Sequence, residues 1–407
     1  MGDDILIVGG GIGGLTLALE LHHHGIGCRV FESAPEIKAV GVGINLLPHA
    51  TRVLSDLGLQ PALAKVAIET AEAAFFNRFG QLIYREPLGR RAGYRWPQFS
   101  IHRGDLQSIL LDAVKDRLGA DRMHLGFHCT GFTQDESCVT IEFKDQPASS
   151  GVAAIGGDGI HSAIRRQLYP DEGEPRYSGV NMWRGVTRWK PILTGATFVR
   201  AGWLKGGKLV HYPIRNHIDA QGRQLVNWLW EIETPQYKRW DWNRQANVDD
   251  FIAGVEDWKF DWLDVAAFFR AADVVLEYPM VDKDPLPVWS FGRVTLLGDA
   301  AHPMVPRGSN GAGQAILDAR SLAQELDDDT DIPRALKTYE EQRLAPTANV
   351  VLENRRNPPD AILREIYERT GDRPFERIDA VISPAELKAI SDRYKGIAGY
   401  DKSTLQP

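Results

Sequence analysis

Apolar positions in this chain first appear as short, uninterrupted runs. Residues 5–8 (Ile5-Leu6-Ile7-Val8), a continuously apolar and β-branched run, and the further short apolar runs 28–31, 152–155 and 294–297 are as expected of strands buried on both faces of a parallel sheet. Between the first two runs the spacing turns helical at Leu15, Ala18 and Leu19 and stops at Gly25. The pattern predicts a βαβ unit. Helical spacing returns over 314–326 at Ile316, Leu317, Leu322 and Leu326. Runs 209–214 and 225–232 differ in being aromatic as well as β-branched, which predicts strands of an antiparallel sheet. Segment 74–94, with Phe75, Phe79 and Ile83, adds strands to that sheet. Beyond Asn354 come Pro358-Pro359 and two helical patterns, 361–369 and 384–394, read as a tail packed on the body or on a partner.

The turn after the first strand is Gly9-Gly10-Gly11-Ile12-Gly13-Gly14. Gly9, Gly11 and Gly14 occupy the positions that allow a tight turn, close approach to a pyrophosphate, and helix-to-strand contact. The helix N-terminus behind them offers free N–H groups and a positive dipole end to phosphates. Glu32 lies 21 residues after Gly11, closing the second strand, where a carboxylate accepts the ribose hydroxyls of an adenosine. A 2′-phosphate is repelled there, but the unit alone leaves NAD and FAD both open.

Two further strand ends carry an acid. Gly157-Asp158-Gly159 leads to Ser162 in a helix N-cap position, and residues 294–297 run into Gly298-Asp299-Ala300-Ala301-His302-Pro303. In a doubly wound sheet both aspartates face the crevice at the carboxyl ends of the strands. The following Pro306-Arg307-Gly308-Ser309-Asn310-Gly311-Ala312-Gly313 aims a second helix N-terminus at the same ligand. Such a terminus stabilises the negative charge that a reduced flavin acquires, a need NAD does not have.

With these motifs on the page, the chain resembles the single-component FAD aromatic hydroxylases, the p-hydroxybenzoate hydroxylase group. Residues 9–32, the segment from Asp158 to Arg165 and that from Gly298 to Pro303 carry the resemblance. It covers nearly the whole chain and weakens after about Asn354. Gly41-Val42-Gly43-Ile44-Asn45, Ser100-Ile101-His102-Arg103, Met182-Trp183-Arg184-Gly185-Val186 and Tyr278-Pro279-Met280-Val281-Asp282 are especially similar to the phenazine-carboxylate hydroxylases of that group.

The resemblance implies an α/β fold with a Rossmann-like FAD-binding domain of the glutathione-reductase type (1–73, 99–177, 280–354). A discontinuous antiparallel-sheet substrate domain (74–98, 178–279) and a helical C-terminal tail (355–407) complete it. It further implies that Glu32 holds the adenosine ribose, Arg103 the ribityl and pyrophosphate region, and Asp299 the ribityl chain. Asp158 braces the pyrophosphate site and influences nicotinamide cofactor use, and residues 308–311 cradle the isoalloxazine. The expected cofactor set is Gly9, Gly11, Gly13, Gly14, Glu32, Val42, Gly43, Arg103, Asp158, Asp299, Gly308, Asn310 and Gly311. FAD is held tightly and non-covalently. NADH or NADPH visits transiently, because Gly41-Val42-Gly43 and Gly311-Ala312-Gly313 fall short of a second fingerprint. O2 is the co-substrate, and oxygen reaches an aromatic or heteroaromatic ring, phenazine-, salicylate- or hydroxybenzoate-like, through a C4a-hydroperoxyflavin.

Ten of the eleven tryptophans fall between Trp183 and Trp289. Most are read as packing, since large aromatics fill sheet interfaces. Tyr212 and Trp228 are candidate walls of a flat substrate pocket, and the resemblance adds Pro306 beside the reacting ring. Trp228-Leu229-Trp230-Glu231-Ile232 also resembles a halogenase core, but Glu233 stands where that pattern has Pro. Backbone shaping is the default reading of His302, a proton role the minority one.

Composition removes other classes. With 47 Lys plus Arg against 54 Asp plus Glu, the net charge is −7, and no nucleic-acid partner is expected. Cys28, Cys129 and Cys138 have no metal or redox spacing. The start has neither a basic n-region nor a long apolar h-region, and no run is long enough to span a membrane. His22-His23-His24 splay about 100° apart on a helix and do not converge on one ion, so no metal is expected. A cytoplasmic monomer or homodimer follows. The rivals are a halogenase or reductase on the same scaffold, and a non-catalytic flavin-binding redox protein.

Overall fold

The computed structural model describes residues 4–37, 42–234 and 244–406. Gly41, Trp240 and Trp242, which entered the sequence argument, lie outside the described residues, as do Met1, Gly2 and Asp3. A five-stranded parallel sheet runs in the order Val294–Leu296, Ala153–Gly156, Ile5–Val8, Cys28–Glu32, Met123–Leu125. All four residues of Ile5–Val8 are buried, as a strand covered on both faces must be. Helix Ile12–His23 packs against both Arg103–Leu118 and Gly311–Asp328. It begins at Ile12, with Gly11 as N-cap, rather than at Leu15. The apolar spacing starts a turn late because the first helical turn carries glycines for the ligand.

The second sheet has eight strands in the order Arg244–Ala246, Ala272–Asp282, Arg176–Trp189, Gln224–Glu233, Gly207–Arg215, Thr197–Trp203, Glu72–Phe76, Leu82–Pro87. It is antiparallel except where Thr197–Trp203 pairs in parallel with Glu72–Phe76. Its two faces are chemically distinct because side chains alternate along each strand. Leu209, His211, Trp228 and Trp230 share one face, which packs with Phe251, Trp258, Phe268 and Phe269. Burying such a side chain contributes roughly 1.5–3 kcal/mol. The other face pairs Lys208 with Glu231, Val210 with Leu229 and Tyr212 with Asn227 across the same two strands. That face looks onto the cavity described below.

A meander of Cys129–Gln134, Val139–Phe143 and Gln146–Gly151 was not foreseen, nor was the small sheet of Gly43–Leu46, Phe99–His102 and Ile68–Glu69. The C-terminal segment packs on the chain's own body. Ile362, Leu363 and Ile366 of helix Ala361–Thr370 join Ala73, Phe75 and Ile83 of the eight-stranded sheet in one core. Helix Pro384–Ile397, opened by a Ser383/Glu386 capping box, lies against the long helix Ile332–Arg356. Among the described residues no helix is long and apolar enough to cross a membrane.

Candidate flavin and substrate site

A cleft of about 840 Å3 crosses the carboxyl ends of the parallel strands, lined by Gly9, Gly11, Glu32, Arg103, Gln107 and Asp158. The glycine turn is packed behind and open in front. Gly9 has φ +110°, and a β-carbon there would lie 2.3 Å from the Gly157 carbonyl oxygen. One on Gly14 would lie 2.0 Å from the Gly9 oxygen, and one on Gly13 would meet Leu297 at 2.7 Å. A β-carbon on Gly11 would meet nothing within 4 Å. No side chain caps the helix that follows, so its first amides remain available to an anion.

Glu32 is fixed by the amides of Gly10 and Ala34, each donating to it at 2.8 Å. Its carboxylate lines the cleft at the end of the second strand. Arg103 is exposed to the cleft, and its backbone N–H donates to the carbonyl of buried Val42 at 3.0 Å. Gln107, four positions on along the helix, donates to the Gly10 carbonyl at 3.0 Å. It escaped the sequence reading, although a polar residue one turn beyond Arg103 shares its helix face. Asp158 accepts from the Ala163 amide at 2.7 Å, and Ser162 accepts from that of Arg165 at 2.9 Å. Burial pushes the Asp158 carboxyl up.

Gly43, Asp299, Pro306, Asn310 and Gly311 meet the cavity face of the eight-stranded sheet around a second space of about 200 Å3. Asp299 is open to this space yet lies deep in the molecule; that depth pushes its carboxyl up, opposed by His302 and Arg103. Helix Gly311–Asp328 starts here with no side-chain cap, leaving its amides directed at whatever the cavity holds. Asn310 donates to the Gly308 carbonyl at 3.1 Å and to Tyr394 at 2.9 Å. Gly43 donates to Asn227 at 2.7 Å, and its carbonyl accepts from Tyr212 at 2.8 Å and Arg184 at 3.1 Å. Burial pushes the Tyr212 phenol up to about 12, so it stays a donor. Its ring stacks on Phe198 at 4.9 Å.

Trp228 is not at this cavity. It points to the opposite face of its strand, fully buried, donating to Thr187 at 2.9 Å and packing on Phe269 at 4.3 Å. Trp230 shares that core, so the halogenase-like pattern lies away from the cavity. His302 also turns away, with Nε2 2.6 Å from Asp318, which accepts from the Gly298 amide at 3.1 Å and Arg343 at 2.8 Å. Burial alone would raise the Asp318 carboxyl, but His302 and Arg343 hold it at about 2. The cluster ties the Gly298 turn to the helix carrying Asp318. Of His22-His23-His24, His24 pairs with Asp327 at 2.8 Å, and no metal-ligand group occurs among the described residues.

Six ionic groups on the walls received no role from the sequence: Arg184, Arg200, Lys208, Glu231, Arg307 and Asp360. Lys208 is 1% exposed, lies 2.6 Å from Glu231, and also pairs with Asp360 of the C-terminal segment. The parity that Lys208 and Val210 share with Tyr212 is the signal that would have found Lys208.

An open-fronted glycine turn with a carboxylate beside it and two uncapped helix ends suit a dinucleotide, and the aromatic-walled cavity next to them suits a flat ring, the arrangement of a flavoprotein. The FAD binding domain family matches residues 3–191 and 282–354, and the chain belongs to that family. It is 40% identical, over 99% of its length and 98% of the other's, to phenazine 1,6-dicarboxylic acid hydroxylase PhzS of Lysobacter antibioticus. It is 34% identical to 3-amino-4-hydroxybenzoate 2-monooxygenase of Streptomyces cremeus over 99% of this chain and 98% of that one. The fold matches HpxO of Klebsiella pneumoniae complexed with FAD and uric acid, at TM-score 0.74 and 24% identity, covering 98% and 94% of the chains. The protein is a FAD-dependent aromatic hydroxylase that uses NAD(P)H and O2.

Proposed function

We propose that this enzyme hydroxylates a planar, carboxylated aromatic of the phenazine class. The observation that carries the reading is the wall of the smaller cavity: Phe198 stacked on Tyr212, with Val210, Leu229 and Pro306 around them, beside a group of cationic side chains. Apolar walls suit a flat ring, and a few polar groups fix its orientation. The 40% identical relative is a hydroxylase of a phenazine dicarboxylic acid.

FAD, when bound, supplies the oxygen-activating chemistry. The chain's own groups bind and orient. In this reading the Gly9–Gly14 turn and helix Ile12–His23 receive the pyrophosphate, Glu32 the adenosine ribose, and Arg103 and Asp299 the ribityl region. The amides opening helix Gly311–Asp328 favour negative charge at the ring they face. Tyr212 holds the Gly43 carbonyl in place. Cys28, Cys129 and Cys138 are all unpaired, which fits a reducing cytoplasm, and the enzyme acts there as a monomer or homodimer.

Purified, FAD-loaded protein is incubated with NADH or NADPH and phenazine-1-carboxylate, salicylate or 3-hydroxybenzoate. Phenazine-1-carboxylate is expected to accelerate reductant oxidation most and to yield a product heavier by one oxygen atom. Faster oxidation with salicylate or 3-hydroxybenzoate would overturn the phenazine reading, and failure of every aromatic carboxylate would overturn the carboxylate reading with it.

A further inference from the structure

Four cationic side chains line the smaller cavity, Arg184, Arg200, Lys208 and Arg307, and they are not equivalent. Lys208 is committed to Glu231 and Asp360. Arg200 lies 3.7 Å from Asp360, with its guanidinium 4.2 Å from the Phe198 ring centroid. Within this set two cations face two carboxylates, and the charge cancels. Arg184 donates to the Gly43 carbonyl and so belongs to the wall that positions the glycine strand. Arg307 is different. It makes no hydrogen bond or ion pair with any described residue, and its Nε, like that of Arg184, is buried without a partner. The carboxylate that feels its charge, Asp360, is already engaged by Lys208 and Arg200.

A guanidinium turned into a protein cavity without a counter-ion loses hydration and gains nothing in exchange. Its planar fork matches a carboxylate in two parallel hydrogen bonds. The backbone around it is rigid: Pro306–Gly308 forms a short turn, and Ser309 follows with φ +55°. Resting on the reading above that the substrate is an aromatic carboxylate, we propose that Arg307 receives that carboxylate and thereby sets which ring edge faces the flavin. The stacked Phe198 and Tyr212 then hold the ring, and the neutralised Lys208 set adds no second anion site.

The test uses FAD-loaded wild type, Arg307→Lys and Arg307→Gln. Each is titrated with phenazine-1-carboxylate and with unsubstituted phenazine, following the flavin absorbance change, and then assayed for KM and kcat. Removing one partner of a desolvated charge pair weakens binding by roughly 30-fold or more. Arg307→Gln is therefore expected to raise Kd and KM for the carboxylate by that factor. Arg307→Lys should retain part of the affinity, and phenazine binding and flavin content should stay unchanged in both. Equal carboxylate affinity in wild type and Arg307→Gln overturns the assignment, as does equal weakening for phenazine or loss of FAD in both variants. If wild type prefers salicylate, the comparison is made with salicylate and phenol, and only the phenazine reading fails. If wild type binds no aromatic carboxylate, both readings fall.

Discussion

A β-carbon on Gly308 would lie 1.5 Å from the hydroxyl oxygen of Tyr394. The last long helix thus fills the space left by a glycine in the cradle loop, while the same hydroxyl accepts from Asn310 at 2.9 Å and donates to Asn354 at 2.6 Å. Tyr394→Phe strands two buried amide groups and should cost about 1–3 kcal/mol, read as a lower calorimetric Tm. Gly308→Ala must push the ring or the loop aside and should release more flavin than Tyr394→Phe does. Retention of full flavin by Gly308→Ala would show the loop to be more yielding than this packing allows.

Gly14 in the first helical turn and Gly11 at its N-cap should fail differently. An added methyl at Gly14 collides with the Gly9 carbonyl at 2.0 Å, whereas at Gly11 it enters open space. Gly14→Ala is expected to lower the Tm of protein stripped of flavin. Gly11→Ala should leave that Tm unchanged yet bind FAD poorly, because the methyl occupies the approach to the pyrophosphate. Flavin titration of both stripped proteins decides.

Asp299→Ala removes a deep acid that faces the cavity and should weaken FAD retention while preserving the fold. Far-ultraviolet dichroism and the ratio of protein to flavin absorbance report the two separately. Unchanged flavin content would sink the ribityl assignment.

Tyr212 and Trp228 sit on neighbouring strands but face opposite ways. Trp228→Phe should lower Tm with KM unchanged. Tyr212→Phe leaves the Gly43 carbonyl to Arg184 alone and should lower the hydroxylated product formed per NAD(P)H consumed. The pair of effects exchanged would reverse the assignment of faces.

Acid should destabilise the fold through buried histidines. Burial lowers His211 to about 3 and, with Arg343 adding to it, His49 to about 4, against about 6.5 in an unfolded chain. Below about 6.5 the unfolded chain takes up protons that the folded one refuses. Stability is therefore lost as pH falls from about 6.5 towards these values, by a few kcal/mol in all. His211 lies between Trp262 and Phe268, with ring centroids at 6.0 and 5.9 Å, and neither ring nitrogen has a hydrogen-bond partner. His211→Phe should flatten the Tm-against-pH curve between pH 6.5 and 4; an unchanged slope would remove His211 from the account.

Much of the nucleotide half was legible because it rests on local rules. Four apolar runs and one glycine turn suffice to write four of the five parallel strands, the edge strand Met123–Leu125 being too short to show a run of its own, and Glu32 follows by spacing. The start of the first helix was misplaced because its glycines carry no apolar period. The meander of 129–151 was legible in part, since Val139, Ile141 and Phe143 alternate with Thr140 and Glu142, but Gln146–Gly151 is largely exposed and shows no apolar run. Trp228 was chosen for its ring, when strand parity decides direction. Arg307 and Asp360 carry no local signal, since they become neighbours of the sheet only through tertiary packing. Lys208 was readable in principle, as a cation in step with Tyr212.

The C-terminal segment reaches the substrate wall through Asp360 and the cradle loop through Tyr394. Selection for a different ring could therefore act through residues far downstream of the glycine turn, leaving the nucleotide grip as inherited. The reverse also holds: a cut in the backbone between Asp360 and Tyr394 would loosen the reaction chamber itself, although neither residue belongs to the nucleotide-binding turn.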